Sequence, residues 1–153
     1  MVRLADLNPE FAKALRGMPL PAIEPAPWVE SPPLQEARVA LVSTAGVHRV
    51  RDRPFDVYAR DYRLIPADVK PDDLMMSHVS VNFDRSAFQQ DVNTVLPLAL
   101  LHDLAAAGEV GSVARWHYSM MGATDPVDLR EAAVSVAERM QDEGVTAVAL
   151  VPV

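Results

Sequence analysis

The sequence predicts an α/β fold, a small parallel sheet flanked by helices, from three local patterns. Residues 38–44 form an almost continuous apolar run that ends at a turn signal with Gly46, which is typical of a strand buried on both faces. Residues 145–153 form a second run of the same character. Residues 125–143 have helical periodicity and lead directly into that second run. A helix that leads into a buried strand is the repeating unit of a parallel sheet.

Capping residues predict the bounds of three helices. The first spans residues 8–17, with Asn8 as its cap and Gly17 at its end. The second spans residues 97–108, and the third has Asp125 as its cap and ends at Gly144. The apolar stripe predicted for the third helix consists of Leu129, Ala133, Val136, Ala137 and Met140.

The remaining segments predict less regular structure. Residues 1–37 form an N-terminal helix and a proline-rich arm, and residues 38–153 form the α/β domain. Because proline fixes φ and lacks an N–H, the arm is predicted to be extended, either as a surface tether anchored by Trp28 or as a ligand for a partner domain. Residues 46–73 are interpreted as a long connection, and the alternating residues 77–83 as a further strand.

The composition excludes several functional classes. Acidic residues outnumber Lys and Arg by 21 to 14, and the net charge of −7 disfavours binding to nucleic acid or to an anionic membrane. No apolar run is long enough to span a bilayer, and the first residues lack the pattern of a secretory signal, so a cytoplasmic location is expected. The sequence contains no cysteine, which excludes a disulfide or a thiolate within these residues.

Several fragments occur together in an order that is similar to a known family. They are residues 40–48, 53–56, 62–66, 77–78, 91–93, 97–98 and 111–122. As a set they resemble the selenoprotein B family of the glycine, sarcosine, betaine and D-proline reductases, over residues 38–153. The resemblance implies a Rossmann-like or flavodoxin-like sheet that is incomplete at the C-terminus of this chain.

The resemblance also implies a reaction, the reductive cleavage of the C–N bond in a small amine or amino acid of the glycine, sarcosine, betaine or D-proline type. In the family a selenocysteine or cysteine attacks the carbon beside the carboxylate, and a second thiol releases the product. That nucleophile follows a strand ending in a Val-Pro-Val-like sequence, so it is expected directly after Val153, and a reading frame closed at a UGA codon is the hypothesis for its absence. The chain alone is then expected to be inactive and to hold no cofactor.

The family further implies other reductase subunits and a thioredoxin-like electron donor as partners, and a homo-oligomer is possible. A different class of function stays open beside the reductase. In that interpretation the chain is a non-catalytic α/β protein that binds a small ligand or acts as a scaffold, without any nucleophile.

Three residues are predicted to be catalytic. His78 is a candidate general acid or carboxylate donor, since imidazole titrates near neutral pH. His117 and Tyr118, expected at a strand end or in a loop, are a candidate proton donor and phenolic hydrogen-bond donor. The alternatives are a structural histidine at position 78, and packing or surface roles for the other two.

Five further residues are predicted to bind the substrate: Asn82, Asp91, Asn93, Thr44 and His48. Asp91 and Asn93 have turn and cap roles as their alternative, because Asp and Asn most often serve those roles. Thr44 and His48 belong to a Gly-containing turn that lacks the glycine spacing of a phosphate-binding loop. A metal site built from His78 and His117 has no compact ligand motif in its favour, and none is predicted.

Overall fold

The computed structural model describes residues 3–18, 29–80, 83 and 85–153. The strands are β1 (Arg38–Ser43), β2 (Val47–Arg49), β3 (Tyr62–Pro66), β4 (Leu74–Met76), β5 (Ser112–Val113), β6 (Trp116–Met120) and β7 (Ala147–Val151). The α-helices are α1 (Pro9–Arg16), α2 (Ser86–Gln90), α3 (Leu98–Ala106) and α4 (Arg130–Asp142). Short 3-10 turns occupy Leu4–Asp6, Leu34–Glu36, Pro71–Asp73 and Val92–Thr94. None of the helices in these ranges is long and apolar enough to cross a bilayer.

Strand β1 lies at the centre of the main sheet. On one side it pairs with β7 along its length, in parallel. On the other side it pairs in parallel with β5 and then with β6, and β3 pairs antiparallel with β6. Strands β2 and β4 form a separate antiparallel ribbon. The predicted fold class is therefore confirmed: a mostly parallel sheet with helices packed on it.

The sheet separates two apolar cores. One face packs against α3 and the turn before it, through Leu41, Ile65, Leu96 and Leu101. The other face packs against α4, through buried side chains that include Ala40, Tyr118, Val136 and Met140. Burial of β1 on both faces agrees with its apolar run.

Two predicted helices have the expected bounds, and the third is shorter. Asn8 caps α1 by accepting the Glu10 N–H at 2.9 Å, and α3 lies within residues 97–108. The prediction that α4 starts after an Asp125 cap is wrong, because Asp125 caps a preceding turn through the Val127 N–H at 2.9 Å. In the predicted stripe, Val136 and Met140 are buried and Leu129 is partly buried, but Ala133 and Ala137 are exposed and Ala132 takes their place.

Three predictions about strands are wrong. The long connection at 46–73 contains β2 and β3, which are short and carry polar residues. The strand predicted over 77–83 is not found in residues 77–80, which have no regular structure. Strand β4 lies before this segment and ends at Met76. Strand β7 is mostly exposed, with Leu150 at 64%, because it lies at the sheet edge and pairs only with β1 among the described residues. Trp28 and most of the proline-rich arm lie outside the described residues.

Candidate functional site

The carboxyl ends of three parallel strands define the candidate site. Strands β6, β1 and β7 run in the same direction, so the segments that follow them, residues 121–129, 44–46 and 152–153, lie at one edge of the sheet. Loop 53–61 lies at the same edge because it precedes β3, which runs antiparallel to β6. We call these four segments the carboxyl edge. Ligands of open α/β sheets bind at this position.

Thr44 connects the three strand ends. Its N–H donates to the Val151 carbonyl at 3.1 Å, and its hydroxyl oxygen accepts the Val153 N–H at 2.9 Å. Its carbonyl accepts the Gly122 N–H at 2.8 Å. A Cβ atom added to Gly122 would lie 2.7 Å from that carbonyl oxygen, so only glycine fits this approach. The predicted binding residue Thr44 therefore stands at the centre of the carboxyl edge.

His78 lies beside the turn that follows β1. A Cβ atom added to Gly46, whose φ is +67°, would lie 3.3 Å from the backbone nitrogen of His78. The imidazole is buried against the ring of Phe83, with the centroids 4.9 Å apart, and its Nδ1 accepts the Ser80 N–H at 3.1 Å. Burial lowers the pKa of His78, and the positive charge of Arg85 lowers it further. With Nδ1 accepting, the neutral ring carries its proton on Nε2, which has no partner among the described residues.

His117 and Tyr118 lie inside β6, in the middle of the sheet, and the expectation of a strand end or loop is wrong. Consecutive side chains of a strand point to opposite faces. His117 pairs with Ile65 of the α3-side core, whereas Tyr118 belongs to the α4-side core. The two side chains therefore do not form one acid–base pair, because the sheet separates them.

The imidazole of His117 takes part in the hydrogen bonding of the sheet. Its Nδ1 accepts the Leu41 N–H at 3.0 Å, at the break between β5 and β6. Its pKa is lowered to about 4 by burial, with a smaller contribution from His102. The neutral ring is favoured over the charged one, because a proton on Nδ1 would occupy the site that accepts the Leu41 N–H.

Tyr118 lies against the ring of Tyr62, with the centroids 5.8 Å apart. Its pKa is raised by burial and then by the negative charge of Glu143. Its hydroxyl is buried without a partner among the described residues. This phenol stays protonated at neutral pH and lies in the core on the α4 side of the sheet.

The other predicted binding residues are distributed over the chain. Asp91 caps the turn at Val92–Thr94 and accepts the Asn93 N–H at 2.8 Å, and Asn93 accepts the Ala99 N–H at 3.1 Å, which are turn and cap geometries. His48 is buried in β2, with its Nδ1 2.8 Å from the Arg49 carbonyl oxygen. Asn82 lies outside the described residues.

Sequence reasoning missed the arginines of loop 53–61 and the residues around it. This loop encloses a cavity of about 290 Å³, lined by Arg53, Pro54, Asp56, Tyr58, Ala59, Arg60, Asp61 and Arg63. The available signal was the excess of Arg and Asp within residues 46–73, which was interpreted only as a connection. Within the described parts of the chain, no group of three or more His, Asp or Glu side chains is arranged to hold a metal ion.

Comparison with known proteins supplies the family. The family described as glycine/sarcosine/betaine reductase selenoprotein B matches residues 7–153. The D-proline reductase subunit gamma of Acetoanaerobium sticklandii is 30% identical over 135 residues, which are 86% of this chain and 55% of the relative. This chain thus spans about half the length of that curated relative, and no solved structure matches it. The chain belongs to the glycine/sarcosine/betaine reductase selenoprotein B family.

Proposed function

We propose that this chain is part of a selenol- or thiol-dependent reductase that cleaves the C–N bond of a small amine or amino acid of the glycine, sarcosine, betaine or D-proline type. The observation that carries the proposal is the junction at Thr44. There the ends of β6, β1 and β7 meet in a chain of this reductase family. Because residues 1–153 contain no cysteine, the selenol or thiol is supplied from outside them, and the residue that follows Val153 in the gene is our candidate.

The reaction consumes two electrons. The selenolate or thiolate attacks the substrate carbon beside the carboxylate, so a C–Se or C–S bond forms as the C–N bond breaks and the amine leaves with its electron pair. A thiolate then attacks the selenium or sulfur, and the carbon takes the bonding electrons and a proton. The resulting selenenylsulfide or disulfide is reduced by an external dithiol, for which a thioredoxin-like protein is our candidate.

In this proposal the residues at the carboxyl edge bind and position the reacting groups. Neutral His78 donates a hydrogen bond from its Nε2–H to the bound substrate, because that N–H has no competing acceptor among the described residues. Thr44 fixes the backbone around Val153 and hence the direction in which the following residue points. Further subunits of the reductase complete the site, since the relative from Acetoanaerobium sticklandii is itself named as a subunit.

The test uses the native gene with a tag at the N-terminus, so that any residues encoded after Val153 are kept, and the product is purified with whatever subunits accompany it. We expect amine release from glycine, sarcosine or betaine, or opening of the D-proline ring, that depends on a dithiol and is abolished by iodoacetamide. His78→Gln is expected to lower kcat at least tenfold, because the flexible amide does not hold its N–H at the position of Nε2. The matched control His102→Gln, at an exposed imidazole, is expected to leave kcat unchanged.

The outcome also distinguishes the scaffold interpretation. Substrate binding without cleavage of the C–N bond, in a complex that has no alkylatable selenol or thiol, contradicts the reductase and favours a non-catalytic protein. The codon after Val153 gives an independent check. A UGA or cysteine codon with a continuing frame supports the proposed source of the nucleophile, and an ordinary stop codon contradicts that source.

A further inference from the structure

The cavity lined by loop 53–61 concentrates charged side chains. Its lining contains three arginines, Arg53, Arg60 and Arg63, and two aspartates, Asp56 and Asp61. Each arginine is paired with an aspartate, Arg53 with Asp56, Arg63 with Asp61 and Arg60 with Asp128, so the cavity offers charges of both signs, as a zwitterion does. A volume of about 290 Å³ is at the small end of ligand sites, which suits a ligand of few atoms.

Arg63 is held rigidly in the wall of this cavity. Its side chain is only 10% exposed, its Nε donates to the Arg53 carbonyl at 2.8 Å, and its Nη1 donates to the Tyr62 carbonyl at 3.1 Å. Asp61 lies 2.8 Å from Nη1, and the guanidinium carbon is 4.4 Å from the centre of the buried Phe55 ring. These contacts fix the plane of the guanidinium before any ligand arrives.

One donor group of Arg63 is left available. The hydrogen bonds of Arg63 to other described residues use Nε and Nη1, and none uses Nη2. A rigid guanidinium in the wall of a small cavity is suited to recognise a carboxylate, because its N–H directions match the oxygen lone pairs. Arg53 and Arg60 are far more exposed, at 77% and 66%, and each pairs with an aspartate.

The cavity belongs to the carboxyl edge. The Thr124 hydroxyl, in the segment that follows β6, donates to the Ala59 carbonyl at 2.8 Å. Arg60 pairs with Asp128 in that segment at 3.0 Å. Both contacts hold loop 53–61 over the end of β6, on the side of the sheet where ligands bind in this class of fold.

We propose that this cavity binds the carboxylate of a small zwitterionic molecule, with Arg63 as the directional donor and Asp56 and Asp61 facing the ligand's cationic group. Tyr58, which is 84% exposed at the rim, offers its ring to a substituted ammonium. The inference deepens the proposed function, since the proposed substrates are zwitterions of this kind. Binding itself requires no nucleophile, so it is measurable on the 153-residue chain.

The test is an NMR titration of the ¹⁵N-labelled chain with glycine betaine, and with choline as a probe that has the same ammonium group but no carboxylate. We expect betaine to shift the Arg63 Nε–Hε signal and the amides of residues 53–63, and choline to bind at least tenfold more weakly. Equal binding of the two probes, or shifts confined to other residues, would overturn the proposal.

Matched variants separate the cavity from general electrostatics. Arg63→Lys keeps the positive charge but loses the paired N–H donors of the guanidinium, and we expect at least tenfold weaker binding of betaine. Arg60→Gln is expected to weaken the binding of betaine severalfold. Arg51→Gln removes one positive charge from an exposed residue of a different cavity and is expected to change binding less than twofold. If Arg63→Lys fails to fold, the double variant Arg53→Gln/Arg60→Gln, at two exposed side chains, decides instead. An Arg51→Gln effect as large as that of Arg60→Gln contradicts a specific site.

The two proposals fail in different ways. If betaine binds as expected but the purified complex cleaves the C–N bond of none of the four substrates, the carboxylate site stands and the reductase proposal fails. If the complex cleaves a C–N bond while the Arg63 and Arg60 variants keep wild-type binding and KM, the reductase stands and the carboxylate site is elsewhere.

Discussion

His117 replaces a peptide group in the hydrogen bonding of the sheet. Strand β1 needs an acceptor for the Leu41 N–H where β5 ends and β6 has not yet begun, and Nδ1 of His117 supplies it. The ring must stay neutral to do so. The charge state of one side chain therefore controls the continuity of the central strand pair.

The acid sensitivity of folding tests this role. His117 has a pKa of about 4 in the folded chain against 6.5 as the ordinary value, so the unfolded chain binds the proton more readily between these values. The contribution of His117 to the free energy of unfolding is therefore at its maximum above pH 6.5. It decreases by up to about 3 kcal/mol as the pH falls towards 4. His117→Asn, whose side-chain oxygen takes the place of Nδ1, is expected to remove this dependence, measured by urea denaturation at several pH values.

Two other variants serve as its controls. His117→Ala leaves the Leu41 N–H without an acceptor and is expected to cost about 1–3 kcal/mol at pH 7. His102→Gln removes an exposed imidazole and is expected to retain most of the acid dependence. The structural role of His117 is contradicted if His117→Asn and the wild type lose stability in parallel below pH 6.5.

At the scale of elements, the apolar pattern correctly predicted the burial of β1 and wrongly predicted the burial of β7. Strand β1 was predictable because both of its faces are covered, and α1 because Asn8 and Gly17 bound it. Strand β6 was missed because His117 and Ser119, both fully buried, interrupt the apolar pattern. Burial of polar residues depends on partners from distant segments, and no local pattern records them.

The candidate site was predictable to a similar extent. Thr44 belongs to the carboxyl edge because it follows a predicted strand, whereas His78, predicted within a strand, lies beside the Gly46 turn of that edge. The position of Arg63 depends on the antiparallel pairing of β3 with β6, and β3 itself was not predicted. Pairing between segments more than fifty residues apart was the missing information, as with Arg63 and Ser119.

The junction of β6 and β1 provides a prediction at the same scale. Gly122→Ala would place a methyl group 2.7 Å from the Thr44 carbonyl oxygen, so the two segments must separate. We expect a loss of about 1–3 kcal/mol in the free energy of unfolding. We also expect faster hydrogen exchange at the Val153 amide, which Thr44 holds.

Gly17→Ala is the matched control for that substitution. The nearest atoms to its added Cβ lie 3.5 Å away, in ordinary contact, at a residue with φ −87°. Its stability is expected to stay unchanged or to rise by up to about 1 kcal/mol. Equal losses in the two variants would show that the Thr44 contact is not the cause.

Across the whole molecule, the main sheet is covered on both faces at β1 and open at β7. Leu41 is 2% exposed and Leu150 is 64% exposed, although they lie on adjacent, paired strands. Leu41→Ala is expected to lower the free energy of unfolding by about 2–5 kcal/mol, because it leaves a cavity. Leu150→Ala is expected to cost less than about 1 kcal/mol in the isolated chain. A large loss for Leu150→Ala would mean that β7 is covered in solution, which sedimentation velocity would detect as self-association.

The pairing of β1 with β7 also governs when the chain can fold during synthesis. Thr44 and Val153 are separated by 109 positions, so β7 is made long after β1. Until the ribosome has released β7, β1 has one unpaired edge, and closing so large a loop carries an entropic cost. The nascent chain therefore keeps one edge of its most apolar strand unpaired until β7 has been made, and the carboxyl edge assembles only after that.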